Sequence, residues 1–249
     1  MTSAPAVAAG SDELLNRRMI TASVMMATIV VILDMTIATI ALPHMQGGLG
    51  ATQDQVSWVM TTYFMMQAIT MSATGWLAGR LGRKRLFIGA LAGFAVFSIL
   101  SGNATSIEEI LVFRALQGMF SAPIVPISQA LMLDSYPRER HAQAMSIWGM
   151  GVMLAPVMGP VVGGWLTDEY SWRWVFYVSM PFSILGILGA VLFIRESPKN
   201  LERKFDVFGF TMLALALAGT QFHPEYWTND APAGRQLIEN WCRFVGLIE

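Results

Sequence analysis

Charged residues are scarce in this sequence. Asp, Glu, Lys and Arg make up 13% of the 249 residues, and hydrophobic residues make up 54%, whereas about a quarter of a soluble globular domain is charged. A soluble fold of this length would have too few charges to cover its surface. The single cysteine, Cys242, excludes an internal disulfide framework and a cysteine-rich metal site. The three histidines stand apart, no Walker motif is present, and the net charge of −1 favours no charged partner such as nucleic acid.

Long runs without charge are abundant instead. Two runs carry one charge each, Asp34 in residues 19–53 and Arg114 in residues 110–133. Four runs carry none: residues 55–79, 86–107, 142–167 and 174–194. A hydrocarbon core of roughly 30 Å needs roughly 20 helical residues, and each run reaches that length. The sequence therefore predicts an all-α polytopic membrane protein with a six-helix bundle at residues 19–195.

The segments outside the bundle differ from it and from one another. Residues 1–18 are charged and lack the apolar stretch of a cleavable signal peptide, so we expect the first span to direct insertion. Residues 196–206 form a linker, which we expect to be cytoplasmic. Residues 207–220 predict a partial seventh helix that is shorter than a membrane span needs. Residues 221–249 form a tail of different character.

Basic residues concentrate in alternate connections between the spans. Twelve of the sixteen Lys and Arg residues lie in residues 17–18, 80–85, 138–140 and 195–204. The opposite connections, residues 44–54 and 101–109, contain none, and residues 167–173 contain only Arg173. Because Lys and Arg are enriched in cytoplasmic loops, this asymmetry predicts a cytoplasmic N-terminus and a return to the cytoplasm after the sixth span. We expect a multi-pass protein of the cell (inner) membrane.

The two interior charges are the leading candidates for a functional site, because a charge inside a membrane span is costly. Pro43 is expected to end the first span, which puts Asp34 roughly 12 Å from the outer end, and Arg114 lies roughly 10 Å from the same end. Because the two side chains are expected at similar depth, we expect them either to form an ion pair or to share one hydrated cavity. Burial and a nearby cation change the proton affinity of a carboxyl group in opposite directions, so a conformational change could load or release a proton. The alternative is a static ion pair without a transport role.

Polar side chains follow one face of the second span and one face of the fourth. The stripes consist of Tyr63, Gln67, Thr70 and Thr74 in the second span and of Arg114, Gln117 and Ser121 in the fourth. Such stripes are typical of a cavity wall, and interhelical hydrogen bonding is the alternative. We predict that the cavity-lining residues are Tyr63, Gln67, Thr70, Gln117 and Ser121.

The fifth span is rich in small residues and proline. Gly151, Ala155, Gly159 and Gly163 recur every fourth residue, a spacing that lets two helices approach closely. The prolines at positions 156 and 160 each remove a backbone donor and can bend the helix. The pattern indicates either tight packing alone or a seam along which two halves of the molecule move.

Five segments together resemble the major facilitator superfamily and, within it, the fourteen-helix drug:proton antiporters of the EmrB/QacA type. In chain order they are LDMTIATIALP (33–43), GWLAGRLGRKRL (75–86), LVFRALQGMFSAP (111–123), APVMGPVVGGW (155–165) and WRWVFYVSMP (172–181). Five matches in the expected order and topology are much more specific than any one alone. The resemblance covers residues 19–219.

This resemblance implies proton-coupled export of small amphipathic compounds, with Asp34 and Arg114 in proton coupling. It implies membrane lipid, an amphipathic substrate, protons and a periplasmic adaptor protein as partners, and no enzymatic activity, cofactor, metal or nucleic acid. The implied cytoplasmic gate consists of Gly75, Arg80, Gly82, Arg83, Lys84 and Asp134. The implied antiporter motif consists of Gly151, Ala155, Pro156, Gly159, Pro160, Gly163 and Gly164. Gly79 replaces the aspartate usual in this gate, so we expect Arg83 to pair with Asp134.

The length and the tail depart from this family. Such transporters need two six-helix bundles with the site between them, and this chain supplies the first. QFHPE (221–225) resembles the end of class I glutamine amidotransferase domains, with His223 and Glu225 matching two triad members. The G-x-C-x-G elbow for the nucleophile is absent, so we expect no glutaminase activity. The alternatives to a working half-transporter are an inactive or fused fragment from a joined or frame-shifted gene, and a half-transporter that pairs with another chain. For the tail, the alternative to an amidotransferase remnant is a polar tail of unrelated origin.

Overall fold

The computed structural model describes residues 5–196 and 205–222, and it describes side chains in residues 15–196 and 205–217. These residues form helices and connections without a strand, as predicted. The helices are α1 (Pro5–Leu49), α2 (Gln53–Leu81), α3 (Arg83–Asn103), α4 (Ile107–Ser121), α5 (Ile124–Ser135), α6 (His141–Glu169), α7 (Trp174–Tyr177), α8 (Ser179–Phe193) and α9 (Val207–Phe222). The chain divides into two compact units between Phe205 and Asp206.

The six predicted spans correspond to six helical segments in the first unit. α1, α2, α3 and α6 each cover one span, whereas the fourth span is divided into α4 and α5 at Pro123, and the sixth into α7 and α8. Five of the six segments are long and apolar enough to cross a membrane. α2 has 29 residues and is long enough, but it is more polar than the other five. The most polar segment is thus the one that carries the longer predicted polar stripe.

The prediction that Pro43 ends the first span is wrong, because α1 continues through Pro43 to Leu49. Proline removes the hydrogen bond to the carbonyl of the residue four positions earlier and its ring crowds that carbonyl, which kinks some helices and ends others. That residue, Thr39, and Pro43 are both on the exposed face of α1. Asp34 is therefore about 22 Å from the end of its helix rather than about 12 Å.

Two N-terminal caps fix where α2 and α4 begin. Thr52 and Gln55 form a capping box, in which Gln55 N donates to Thr52 Oγ1 at 3.3 Å and Thr52 N donates to Gln55 Oε1 at 2.9 Å. Ser106 Oγ accepts from Glu109 N at 3.2 Å at the start of α4. These caps set the register of the two helices whose facing sides carry the polar stripes.

α1 is the central helix of the bundle. It packs against α2, α5, α6 and α8, while α4 packs against α2 and α3. The apolar interior forms two clusters along α1. The lower cluster includes apolar residues between positions 20 and 31 of α1 with residues of α3 and α5, and the upper cluster includes those between positions 33 and 45 with residues of α2, α4 and α7. Asp34 lies at the level where these two clusters meet.

The second unit contains α9. Asp206 Oδ1 accepts from Gly209 N at 2.9 Å, which caps the start of the helix. α9 lies where the sequence predicts a partial seventh helix and ends at Phe222. His223 and Glu225, the residues that resemble an amidotransferase, lie outside the described residues.

Candidate functional site

Asp34 on α1 and Arg114 on α4 form a buried ion pair. Arg114 Nη1 donates to Asp34 Oδ2 at 2.7 Å, and both side chains are 0% exposed. A charge without water contact is costly unless it is paired with an opposite charge. Arg114 Nε has no hydrogen-bond partner among the described residues, so the ion pair and its neighbours carry the stabilisation of the charge. The two charges that the sequence predicts at similar depth are therefore in direct contact.

Gln117 closes this pair into a hydrogen-bonded triad. It lies one turn after Arg114 on α4, so its amide reaches both charged groups. Its Oε1 accepts from Arg114 Nη1 at 2.8 Å, and its Nε2 donates to Asp34 Oδ1 at 3.2 Å. Both oxygens of the carboxylate thus receive a hydrogen bond from α4, which fixes the side-chain position of Asp34.

Aromatic rings from the two apolar clusters enclose the guanidinium group. The Arg114 Cζ atom lies 4.5 Å from the ring centroid of Tyr63 and 5.4 Å from that of Phe176. Tyr63 belongs to the lower cluster and Phe176 to the upper cluster. A desolvated cation over an aromatic face gains about 2 kcal/mol, so these contacts stabilise the charge independently of Asp34. Arg114 Nη2 also lies 3.4 Å from Met60 Sδ.

Sequence reasoning missed Met60 and Phe176 as members of this site. Met60 lies one turn before Tyr63 on the same face of α2, so extending the polar stripe by one turn would have found it. Phe176 lies in the WRWVFYVSMP segment, which served only as a family signature. Apolar residues give no polar signal, although they form the walls around the charge.

The remaining stripe residues meet between α2 and α4. Gln67 Nε2 donates to Ser121 Oγ at 3.0 Å. Gly118 lets the two helices approach closely, because a side chain there would collide with the backbone of Tyr63. Tyr63, Gln117 and Ser121 are fully buried in this conformation.

Gln67 and Thr70 are only partly buried. The direct contact between Gln67 and Ser121 is the interhelical hydrogen bond that the sequence leaves open as an alternative. The cavity-lining role of the five stripe residues stays a prediction.

At the opposite end of the helices from the α4 cap, Arg83 and Asp134 form an ion pair between α3 and α5. Gly82 is the only residue between α2 and α3, and its φ of 89° is a conformation that glycine adopts without strain. This tight turn places Arg83 in the first turn of α3, beside the last turn of α5. Arg83 and Asp134 therefore form the ion pair that the sequence analysis expects because position 79 is glycine instead of aspartate.

The other predicted gate residues have separate surroundings. Lys84 Nζ donates to the carbonyl of Val191 near the end of α8 at 2.8 Å. The Arg80 guanidinium lies 5.4 Å from the ring centroid of Trp76, and Gly75 is exposed with open space around it. The gate function of this group stays a prediction.

The small residues of the fifth predicted span face α1. Gly151, Ala155, Gly159 and Gly163 are buried along one side of α6. A Cβ atom on Gly163 would lie 3.1 Å from Ile37 Cγ2, and one on Gly159 would collide with Thr36. Close packing of α1 against α6 therefore depends on this stripe.

The two prolines of the motif lie on the opposite side of α6. Pro156 and Pro160 are exposed, and α6 remains one helix through both of them. A Cβ atom on Gly164 would have no atom of the described residues within 4 Å. The motif therefore has a packed side against α1 and an open side that carries the prolines, and movement along this helix stays a prediction.

Comparison with known proteins agrees with this architecture. The family model of the Major Facilitator Superfamily matches residues 24–235. The chain is 38% identical over 205 residues to the multidrug export protein EmrB of Haemophilus influenzae, which covers 82% of this chain and 40% of the relative. It is 36% identical over 204 residues to the fatty acid resistance protein FarB of Neisseria gonorrhoeae, covering 81% of this chain and 40% of the relative.

A crystal structure of a peptide transporter, POT, in complex with sulfate shares the fold. It superposes with a TM-score of 0.66 at 17% identity, over 92% of this chain and 49% of the transporter. The chain spans 40% of the length of the two curated relatives described above. With its family match, its helical bundle and these relatives, the chain belongs to the Major Facilitator Superfamily.

Proposed function

We propose that this chain is the N-terminal six-helix bundle of a proton-coupled exporter of small amphipathic compounds. The observation that carries the proposal is the fully buried triad of Asp34, Arg114 and Gln117 between α1 and α4. Relatives named as multidrug export and fatty acid resistance proteins support the choice of export and of amphipathic substrates. The arrangement of Lys and Arg supports an inner-membrane location with the N-terminus in the cytoplasm.

In this proposal Asp34 binds and releases the coupled proton. A proton on Asp34 neutralises the carboxylate and removes its attraction to Arg114. The guanidinium keeps Gln117, Met60 and the two aromatic rings as partners, so it remains stabilised while the ion pair is absent. Separation of α1 from α4 is therefore less costly when Asp34 is protonated, which links proton binding to a conformational change.

The other predicted residues have roles around this centre. The stripe on α2 and α4 lines the substrate cavity once the helices separate, with Gln67 and Thr70 only partly buried. In this proposal a substrate that enters the cavity displaces the proton from Asp34. The ion pair of Arg83 with Asp134 closes the cytoplasmic end, together with Gly75, Arg80, Gly82 and Lys84. The small residues of α6 give α1 and α6 a seam along which they move, and the prolines let α6 bend.

The proposed division of the chain places the bundle at residues 19–195, after a cytoplasmic segment 1–18. A cytoplasmic linker at 196–206 leads to the partial seventh helix at 207–220 and a non-transporter tail at 221–249. Lipid, protons, an amphipathic substrate and a periplasmic adaptor are the proposed partners. We propose no enzymatic role, and a glutaminase assay of the purified chain is expected to find no activity.

Uptake of ethidium into inverted membrane vesicles, which corresponds to export from the cell, tests the transport role. The chain is expected to move the dye when a proton gradient is present and to stop when a protonophore dissipates the gradient. Asp34→Asn and Arg114→Ala are expected to abolish this movement. Asp54→Asn and Arg138→Ala are the matched controls, because both residues are exposed and lie outside the triad.

Equal expression of all variants in the membrane fraction is required for this comparison. Gradient-driven dye transport by the Asp34→Asn variant at the rate of the unchanged chain would exclude a role of Asp34 in proton coupling. A chain that reaches the membrane and moves no dye would favour the alternative, an inactive fragment or a bundle that needs a second chain.

A further inference from the structure

A pair of buried hydroxyl groups joins α3 to the break between α7 and α8. Ser98 of α3 and Ser179, the first residue of α8, are both buried. Ser98 Oγ lies 2.9 Å from the carbonyl oxygen of Phe176 and 2.8 Å from Ser179 Oγ, which lies 2.7 Å from the same carbonyl oxygen. The ring of Phe176 lies over Arg114. The two hydroxyl groups therefore hold the backbone of a residue that forms a wall of the buried site.

Pro181 explains why the sixth predicted span is broken at this point. Proline has no N–H group to donate to the carbonyl of Tyr177, four residues earlier, and its ring crowds that carbonyl. The chain turns at Val178 between α7 and α8. α7 has only four residues, and a helix of that length is not stable by itself. Its position therefore depends on contacts with neighbouring helices.

α3 provides such contacts at two levels. Arg173 Nη1, which belongs to the residue before α7, donates to the carbonyl of Ala104 at 3.1 Å, just after the end of α3. Earlier in α3, Ser98 forms the buried contact. Gly102 lies between the two levels, and a Cβ atom there would lie 2.7 Å from Tyr177 Cε1. Close approach of α7 to α3 thus brings the Ser98 hydroxyl within reach of the α7 backbone.

The hydroxyl pair has two protons for its three contacts. One hydroxyl therefore donates to the carbonyl of Phe176 while the other donates to the first hydroxyl. Removal of the Ser98 hydroxyl leaves Ser179 as a donor to that carbonyl, so the buried acceptor keeps a partner and the cost of an unsatisfied group is avoided. The hydrogen bond that joins α3 to α7 is what such a change removes.

We propose that Ser98 is a positioning residue for Arg114 and acts through Phe176. Its hydrogen bond holds the backbone of α7 against α3 and so keeps the ring of Phe176 over the guanidinium group. The inference rests on the proposed function, in which proton uptake by Asp34 leaves Arg114 without a counterion and the ring stabilises the unpaired cation. A serine that only contributes to helix packing would leave the ring where it is.

A fluorine nucleus on the ring at position 176 reports the position of that ring directly. Para-fluorophenylalanine is incorporated there in the full chain in nanodiscs, and its fluorine chemical shift is measured by NMR. The double variant Asp34→Asn/Arg114→Met gives the chemical shift of the ring without a cation beside it. We expect Ser98→Ala to move the resonance toward that value. Ser98→Thr keeps a hydroxyl group and is expected to leave the resonance closer to that of the unchanged chain.

Ser101→Ala is the matched control, because Ser101 is also buried on α3 but its hydroxyl donates within the helix, to the carbonyl of Phe97 at 2.8 Å. It is expected to leave the resonance unchanged. Gly102→Ala keeps the test decisive if Ser98→Ala does not fold, because its methyl group crowds Tyr177 and is expected to move the resonance in the same direction. Circular dichroism and size-exclusion chromatography show which variants are folded.

An unmoved resonance in folded Ser98→Ala would overturn the proposal, as would an equal change in Ser101→Ala. If Ser98→Ala does not fold, an unmoved resonance in Gly102→Ala has the same consequence.

Dye uptake into inverted vesicles tests the consequence for transport. Ser98→Ala is expected to lower the gradient-driven rate about threefold, as the loss of one interhelical hydrogen bond predicts, and Phe176→Leu about tenfold. The double variant is expected to lose no more than Phe176→Leu alone, because Ser98 acts through that ring. Multiplication of the two losses in the double variant would overturn the proposal. A chain that moves no dye contradicts the proposed function instead, and the fluorine measurement then decides the role of Ser98.

Discussion

Two Asp–Arg pairs join helices in this bundle, and their surroundings differ sharply. Asp34 and Arg114 are 0% exposed, whereas the side chains of Arg83 and Asp134 are 39% and 52% exposed. The buried pair also has Gln117, two aromatic rings and a methionine around it. The exposed pair lies at the turn between α2 and α3, where water reaches both partners.

The surroundings determine what each pair contributes. Removing one member of a buried pair leaves an uncompensated charge and costs about 3–5 kcal/mol. An exposed pair contributes about 0–1 kcal/mol, because water already solvates both groups. The buried pair therefore suits a centre whose charge state controls the conformation, and the exposed pair suits a gate that opens and closes at low cost.

The largest expected effect is that of Asp34→Asn on stability. The substitution leaves the Arg114 charge buried without a counterion, so the free energy of unfolding in detergent is expected to fall by about 3–5 kcal/mol. The double variant Asp34→Asn/Arg114→Met removes both charges and is expected to regain part of this loss. Denaturation followed by circular dichroism measures both values. A loss below about 1 kcal/mol in the single variant would show that the pair is solvated like the exposed one.

A smaller effect is expected from crowding the helices around the buried pair. Gly118→Ala places a methyl group against the backbone of Tyr63 and pushes α2 away from α4. The expected loss is about 1–3 kcal/mol, although alanine favours a helix over glycine by about 1 kcal/mol. Gly89→Ala is the matched control, since Gly89 of α3 has open space around it and is expected to be neutral or stabilised. Equal stability of the two variants would contradict the close approach at Gly118.

The smallest effect is expected at the exposed pair. Asp134→Asn is expected to change the free energy of unfolding by about 0–1 kcal/mol, and salt is expected to reduce the difference further, because the Debye length falls to about 3 Å at 1 M. Denaturation at low and high salt measures this dependence. A loss as large as that of Asp34→Asn, unaffected by salt, would remove the distinction between the two pairs.

The sequence predicts the buried pair well because a lone charge in an apolar run is rare and costly. The prediction of similar depth counts residues from the expected ends of the two spans, and the side chains of Asp34 and Arg114 are in direct contact. The predicted distance of Asp34 from the end of its helix is wrong, because the prediction ends the helix at Pro43 and α1 continues to Leu49. A proline on an exposed face loses one hydrogen bond without stopping the helix, and a sequence alone does not show which face is exposed.

Apolar partners were not predictable in the same way. Met60 and Phe176 contact Arg114, but the sequence contains 18 methionines and 14 phenylalanines, and helical spacing does not distinguish those beside a charge from those in the core. The polar stripes include Tyr63, Gln117 and Ser121, which are fully buried, and the cavity-lining role predicted for them stays a prediction. Their full burial depends on how closely Gly118 lets the helices approach, and only the three-dimensional structure shows this.

Proton release on dye binding tests most directly whether Asp34 is the proton-coupled carboxylate. Ethidium is added to the purified chain in weakly buffered detergent solution, and a pH indicator reports released protons. The unchanged chain and Asp134→Asn are expected to release protons in proportion to bound dye, whereas Asp34→Asn is expected to bind dye without release. Proton release by Asp34→Asn equal to that of the unchanged chain would contradict the central role of the buried pair.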